Sequence, residues 1–135
     1  MLMVDTNVLL DIWTKDEFWA DWSKQQLRHQ HQQHQLVISP VVYAECAAHF
    51  HTAEQLDEAL ESLEIALLDM PRRSLFLASK AHAAYRQRGG RRESILADFF
   101  IGAHAAVLGC GLVTRDTRRY AQTFPTVRLI APQPN

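Results

Sequence analysis

Cysteine is scarce in this 135-residue chain, which contains only Cys46 and Cys110. They are isolated, so they lack the Cys-x-x-Cys spacing that is typical of zinc sites. Two distant cysteines also argue against the disulfide framework of a small secreted domain. We therefore expect two small buried side chains in a protein of the reducing cytoplasm.

Long hydrophobic runs are also missing. The longest apolar tract, residues 99–113, includes His104 and three glycines, and it is shorter than the roughly 20 residues that a membrane-spanning helix needs. Asp5 and Asp11 interrupt the apolar start of the chain, and no basic stretch precedes it, so we expect no signal peptide. An apolar fraction of 47% suits one compact domain over residues 1–135.

Positive charge is rare in the first half of the chain and abundant in the second. Residues 1–71 contain 3 Lys and Arg against 12 Asp and Glu, whereas residues 72–135 contain 11 against 3, for a net charge of −1. Ten of those eleven cations are arginines, and a guanidinium pairs with phosphate in a bidentate geometry. The pattern favours either a phosphate-rich partner or solvated helix faces that pair with the acidic half.

Short apolar segments alternate with helical segments along the chain. The predicted strands cover residues 2–4, 36–38, 65–68, 112–114 and 127–130. The predicted helices cover residues 8–13, 16–33, 40–50, 52–63, 74–88 and 95–108. Thr6 or Asn7 can cap the helix 8–13, Ser39-Pro40 and Ser94 are typical of helix starts, and Gly109 is typical of a helix end. This alternation predicts an α/β fold with a mostly parallel sheet that is covered on both faces.

Four acids occupy positions where a carboxylate is costly. Asp5 directly follows the first strand, Asp116 follows the strand 112–114, Asp98 interrupts an apolar helix, and Glu45 lies among core-like residues. Singly, each could cap a helix, favour a helix dipole or pair with an arginine. Together, at the edge of a parallel sheet where ligands bind, they repel one another, and a divalent cation removes that cost. Oxygen-only ligands suit Mg²⁺ or Mn²⁺.

The ordered set MVDTNVLLDI, SPVVYAE, ILADFFIGAHA and LVTRD resembles the four acidic segments of the PIN domain. The resemblance covers nearly the whole chain, and the small size resembles the VapC-type toxins of bacterial toxin–antitoxin pairs. It implies a Rossmann-like, three-layer α/β/α sandwich and a ribonuclease that depends on Mg²⁺ or Mn²⁺. It also implies a cognate antitoxin, a homodimer, and a tRNA or rRNA loop as the substrate.

The resemblance also implies a role for each acid. Asp5, Asp98 and Asp116 match the metal ligands, and Glu45 matches the acid that orients or deprotonates the attacking water. Many relatives have an additional acid near the last one, whereas Arg115 and Thr117 flank Asp116 here. The number of metal ions therefore stays open.

Other polar residues match the surroundings of these acids. Thr6 and Asn7 match the polar pair after the first acid, and Thr114 matches a small hydroxyl residue before the last one. We expect these three side chains to orient the ligands through hydrogen bonds. The arginines nearest to the acids in sequence are the expected RNA contacts, namely Arg91, Arg92, Arg115, Arg118 and Arg119.

Two other functions fit parts of the sequence. Aspartyl-phosphate phosphatases also place a nucleophilic Asp after the first strand, but they need a second Asp two residues later, where this chain has Asn7. A PIN scaffold that serves only as a binding module would be expected to lose acids, and this chain keeps all four. We expect the remaining acids Asp11, Asp69 and Glu93 to be solvated or to cap helices.

Overall fold

A computed structural model describes residues 1–90 and 95–133. Its strands are β1 (Leu2–Val4), β2 (Leu36–Ile38), β3 (Ile65–Leu67), β4 (Gly111–Val113) and β5 (Leu129–Ile130). Its helices are α1 (Thr6–Trp13), α2 (Ala20–His31), α3 (Pro40–Ala47), α4 (Ala53–Ser62), α5 (Arg72–Gln87) and α6 (Leu96–Leu108).

The five strands form one parallel sheet in the order β3-β2-β1-β4-β5. The chain moves outward from β1 to β3 through helices α1 to α4, then returns through α5 and α6 to β4 on the other side of β1. Because crossovers between parallel strands are right-handed, these two sets of helices cover opposite faces of the sheet. The predicted three-layer α/β/α architecture is confirmed.

The core lies on both faces of the central strands. Met3, Val4, Val37 and Leu112 have no exposed surface, as expected for strands that helices cover on both sides. Both cysteines are free and buried, as predicted. No helix within residues 1–90 and 95–133 is long and apolar enough to cross a membrane.

Helix starts account for the main differences from the predicted boundaries. Helix α1 begins two residues early because Asp5, and neither Thr6 nor Asn7, is its N-cap. The segment from Asp16 forms a turn before α2, in which the Asp16 carboxylate accepts hydrogen bonds from two backbone N–H groups. The predicted cap Ser94 lies outside the described residues. Gly109 ends α6 in the left-handed region, at φ 66°, as its position predicted.

Candidate active site

Asp5 lies at the carboxyl end of β1 and is 2% exposed. Its backbone N–H donates to the carbonyl of Val113 in the neighbouring β4, at 2.9 Å. Its Oδ1 accepts the N–H of Thr6 at 2.8 Å, while Oδ2 accepts the hydroxyls of Thr114 at 2.7 Å and Tyr120 at 2.9 Å. Burial raises the pKa of Asp5, and these hydrogen bonds oppose that increase.

Thr114 and Asn7 join the ends of β1 and β4. The Thr114 hydroxyl donates to Asp5 and accepts the backbone N–H of Asp116 at 3.1 Å, which fixes the direction of its proton. The side-chain carbonyl of Asn7 accepts the N–H of Arg115 at 3.2 Å. The Asn7 amide nitrogen lies 3.5 Å from both Oδ2 of Asp5 and Oγ1 of Thr114. Both side chains therefore restrict the orientation of the Asp5 carboxylate.

Asp98 lies in the first turn of α6 and is 3% exposed. Its Oδ2 accepts the backbone N–H of Ile95 at 3.2 Å, and its Oδ1 lies 3.4 Å from Nη1 of Arg119. Burial raises the pKa of Asp98 to about 6, although the charge of Arg119 and the Ile95 hydrogen bond lower it. The charges of Asp5 and Glu45 contribute to this increase. Both acids are therefore close enough to influence Asp98.

Asp116 and Arg119 belong to the irregular segment that follows β4. The Asp116 side chain is 32% exposed, and its Oδ2 lies 3.0 Å from Nε of Arg119. Its Oδ1 accepts the backbone N–H of Arg118 at 3.0 Å. Burial lowers the pKa of Arg119, but the charges of Asp98, Asp116 and Asp5 outweigh that effect and raise it. The Arg119 guanidinium thus contacts two acids, Asp98 and Asp116, and its pKa is also influenced by the charge of Asp5.

Glu45 is half-buried in α3 and reaches the site through Thr6. Its Oε1 accepts the Thr6 hydroxyl at 2.6 Å, and the backbone N–H of the same threonine donates to Asp5. A single residue at the start of α1 therefore fastens two of the four acids. Asp5, Glu45, Asp98 and Asp116 together are called the carboxylate cluster below.

Tyr120 contacts Asp5 but was not among the site residues predicted from the sequence. Its side chain is fully buried, and its hydroxyl donates to Asp5. Four residues later, Phe124 packs on Gly102 of α6, where an added Cβ would lie 2.3 Å from the phenyl ring. This contact draws the irregular segment onto α6. Two aromatic residues in an otherwise polar segment were the available signal of such anchoring.

Asp11 is neither solvated nor a helix cap, so that prediction was wrong. It is 3% exposed and binds Arg115 through two contacts, Nε to Oδ2 at 2.7 Å and Nη2 to Oδ1 at 2.9 Å. Ser23 donates a third hydrogen bond at 2.9 Å, and the guanidinium carbon lies 5.2 Å from the Trp19 ring centroid. A side chain expected to contact RNA therefore fastens α1 to the segment after β4.

The other expected RNA contacts have different surroundings. Arg118 is exposed next to Asp116, whereas Arg119 faces the carboxylate cluster. Arg91 and Arg92 lie outside the described residues. Of these five arginines, Arg118 is the one that the structure places on the surface without an internal ion pair among the described residues.

Comparison with known protein families gives one match, which covers residues 2–124 and describes a PIN domain. The chain belongs to the PIN domain family. The resemblance carried by its four acidic segments is thereby confirmed. A comparison with curated proteins gave no significant match.

Solved structures with the same PIN domain fold include several toxin–antitoxin complexes. VapBC2 from Rickettsia felis, bound to a DNA fragment from its promoter, is 20% identical at a TM-score of 0.73, over 96% of this chain and 97% of the matched chain. VapBC-1 from nontypeable Haemophilus influenzae is 21% identical at 0.72, over 96% of both chains. DNA-bound VapBC from Salmonella typhimurium is 20% identical at 0.70, also over 96% of both. Such low identities establish the fold alone.

The carboxylate cluster of this PIN domain fits a divalent cation by its donors and its charge. All four side chains offer oxygen, which suits Mg²⁺ or Mn²⁺, and two of them are buried acids with raised pKa values. In the arrangement described, however, no three His, Cys, Asp or Glu side chains of residues 1–90 and 95–133 stand close enough to hold a metal. Coordination of a metal by three of these acids would need side chains of the cluster to move.

Proposed function

We propose that this PIN domain is an endoribonuclease that depends on Mg²⁺ or Mn²⁺ and acts as the toxin of a toxin–antitoxin pair. The observation that carries the proposal is the burial of Asp5 and Asp98 beside two further acids at the carboxyl edge of a parallel sheet. Buried acids with raised pKa values cost stability, and a chain retains them when a cation or a reaction needs them. Membership of the PIN family supports a nuclease.

Asp5, Asp98 and Asp116 would hold the metal. When bound, the metal lowers the pKa of water and neutralises the phosphate oxygens. The hydrogen bonds from Thr114 and Tyr120 favour the ionised form of Asp5 and restrict its carboxylate to one orientation. These bonds all reach Oδ2, so Oδ1, which accepts only the Thr6 N–H among the described contacts, keeps acceptor capacity.

Glu45 orients or deprotonates the attacking water. Its Oε1 is occupied by the Thr6 hydroxyl at 2.6 Å, which holds the side chain at the edge of the cluster. Half-burial keeps this carboxylate accessible to water, in contrast to the nearly inaccessible Asp5 and Asp98. Glu45 has this role, and the buried Asp5 and Asp98 do not, because a proton acceptor has to reach the water that it activates.

Arg118, which is exposed next to Asp116, provides a contact to an RNA phosphate. It is exposed, and its backbone N–H is fixed to Asp116 at 3.0 Å, so its side chain extends from a positioned backbone. Arg91 and Arg92 remain predicted RNA contacts. Contacts to phosphate hold RNA in place without reading its sequence, so loop shape is the expected basis of RNA selection.

A cognate antitoxin is the proposed protein partner, and the active form is a cytoplasmic homodimer. Structures similar to this chain are VapBC toxin–antitoxin complexes. An antitoxin Arg or Lys set against Asp5, Glu45 or Asp98 would block metal and RNA together. Co-expression with the protein encoded by the neighbouring gene should therefore abolish growth inhibition and RNA cleavage. Unchanged inhibition would contradict this part of the proposal.

The aspartyl-phosphate phosphatase alternative is not supported by the surroundings of Asp5. Enzymes of that class need a second Asp two residues after the nucleophile, and this chain has Asn7 there. At the second position Asn7 binds the backbone N–H of Arg115. The binding-module alternative is less well supported, because such a module would be expected to lose acids and this chain keeps all four.

Sequencing of RNA ends after a brief induction tests the proposed activity and identifies the substrate. Cells that produce the wild-type protein should accumulate new 5′ ends at one or a few positions. Cells that produce Asp116→Asn at the same level should not, because the variant loses a metal ligand. New ends in both strains, or in neither, would contradict the proposal.

A further inference from the structure

Two arginines of the same segment pair with carboxylates in contrasting ways. Arg115 forms two short, aligned hydrogen bonds with Asp11, at 2.7 and 2.9 Å. Arg119 lies 3.4 Å from Oδ1 of Asp98, and its Nε, although 3.0 Å from Oδ2 of Asp116 and buried, makes no well-aligned hydrogen bond. The first pair is a fixed structural contact, whereas the second is loose.

Arg119 nevertheless holds a central position. Its guanidinium lies between Asp98 and Asp116, which come from different parts of the fold, the start of α6 and the segment after β4. It thereby supplies positive charge inside a group of acids that repel one another. A divalent cation bound to Asp98 and Asp116 would be repelled by this guanidinium, because two positive charges a few ångströms apart repel each other.

The guanidinium of Arg119 is also able to move away from Asp98 and Asp116. Its side chain is 38% exposed, so a rotation about its flexible stem takes the guanidinium into water, where hydration compensates for the lost contacts. The long contact to Asp98 and the misaligned contact to Asp116 offer little resistance. Arg115 is a poor candidate for such a movement because Asp11, its partner, is buried and would be left unpaired.

We propose that Arg119 is a built-in counter-cation that competes with the divalent metal for Asp98 and Asp116 and turns toward solvent when the metal binds. This inference rests on the proposed metal-dependent function. It makes Arg119 a residue that sets the affinity of these acids for metal. In the metal-free protein, the charge of Arg119 then reduces the repulsion among the acids, and no partner protein is needed for this effect.

Direct measurement of Mn²⁺ binding tests this competition without reference to activity. Free Mn²⁺ is quantified by electron paramagnetic resonance while it is titrated into purified wild-type, Arg119→Ala and Arg118→Ala proteins. Removal of Arg119 should tighten Mn²⁺ binding by about three- to tenfold, the range expected for loss of partly exposed ion pairs. Arg118→Ala removes the same charge from the neighbouring position and should bind Mn²⁺ like the wild type.

The possible results distinguish a failure of the proposed Arg119 competition from a failure of the proposed metal-dependent function. Equal or weaker Mn²⁺ binding by Arg119→Ala, or an equal gain in Arg118→Ala, overturns the competition but leaves a metal-dependent enzyme intact. No Mn²⁺ binding by any of the proteins contradicts both. If Arg119→Ala does not fold, as judged by circular dichroism, Arg119→Gln removes the charge while keeping polar length, and the same comparison applies to it.

Discussion

The hydroxyl of Tyr120 donates a 2.9 Å hydrogen bond to Oδ2 of Asp5, across 115 positions of the chain. It connects the irregular segment after β4 to the end of the central strand. The bond lowers the pKa of Asp5 against the effect of burial, so Tyr120 helps to keep a nearly inaccessible carboxylate ionised. Tyr120 is therefore a positioning residue for the proposed reaction.

Tyr120→Phe should weaken both stability and catalysis while it retains the packing of the ring. We expect the free energy of unfolding near neutral pH to fall by about 1–2 kcal/mol, because a buried carboxylate loses a donor. RNA cleavage should slow by about tenfold or more, as for other changes around metal ligands. Urea unfolding and cleavage rates measure the two effects.

Tyr43 provides the matched control, since its hydroxyl donates to Asp57 at 2.7 Å at the surface. Tyr43→Phe should leave cleavage unchanged and alter stability little. If Tyr120→Phe behaved in the same way, the bond to Asp5 would have no positioning role.

Asp98→Asn should stabilise the metal-free protein near neutral pH. The pKa of Asp98 in the folded protein is about 6, above the ordinary 3.8, so the folded state binds more protons than the unfolded state between those values. Stability therefore falls as pH rises from about 4 to about 6 and stays reduced above this window. The Asn variant lacks this loss, so in EDTA its free energy of unfolding should exceed that of the wild type by about 1 kcal/mol or more.

Thermal melts in EDTA at several pH values check this prediction. The advantage of Asp98→Asn should shrink as pH falls from about 6 toward 4 and below, because Asp98 is then protonated in the folded state and becomes protonated in the unfolded state as well. Asp116→Asn is the control, and its gain should be smaller because that side chain is 32% exposed. A lower melting temperature for Asp98→Asn, or a difference independent of pH, would mean that Asp98 acts mainly by stabilising the start of α6 and by pairing with Arg119.

Arg115→Ala should destabilise the protein strongly, because it leaves the buried Asp11 without its cation. We expect a loss of about 2–3 kcal/mol in the free energy of unfolding, since breaking a buried pair leaves an uncompensated charge. Adding Asp11→Asn should recover part of that loss. Urea unfolding of the single and double variants measures both, with Arg118→Ala as a control that should change stability little.

The fold could be predicted because its signals are local. Short apolar strands that alternate with helices predicted the order of elements, and the placement of Asp5 at the carboxyl end of β1 followed from the parallel sheet. The helix cap was assigned to the wrong residue because Asp5, Thr6 and Asn7 are all good N-caps. Sequence preference alone cannot choose among three such neighbours.

Side-chain partners in the segment after β4 could not be predicted. Residues 115–126 have no helical or strand periodicity. Their two aromatic residues indicate that the segment is anchored, but they do not indicate that Tyr120 contacts Asp5 or that Arg119 faces the acids. Arg115 was assigned to RNA by its position near Asp116, whereas its geometry is set by Asp11, more than 100 residues earlier. Contacts of this kind depend on how the segment packs on α6.

RNA cleavage by purified protein shows whether the carboxylate cluster supports a metal-dependent ribonuclease activity. Wild-type protein should cleave RNA in Mg²⁺ or Mn²⁺ and lose that activity in excess EDTA. Asp5→Asn should be inactive in either metal while it remains folded by circular dichroism, and Glu58→Gln, a charge-matched change at an exposed position of α4, should cleave like the wild type. Undiminished cleavage in EDTA, or full activity in Asp5→Asn, would contradict the account.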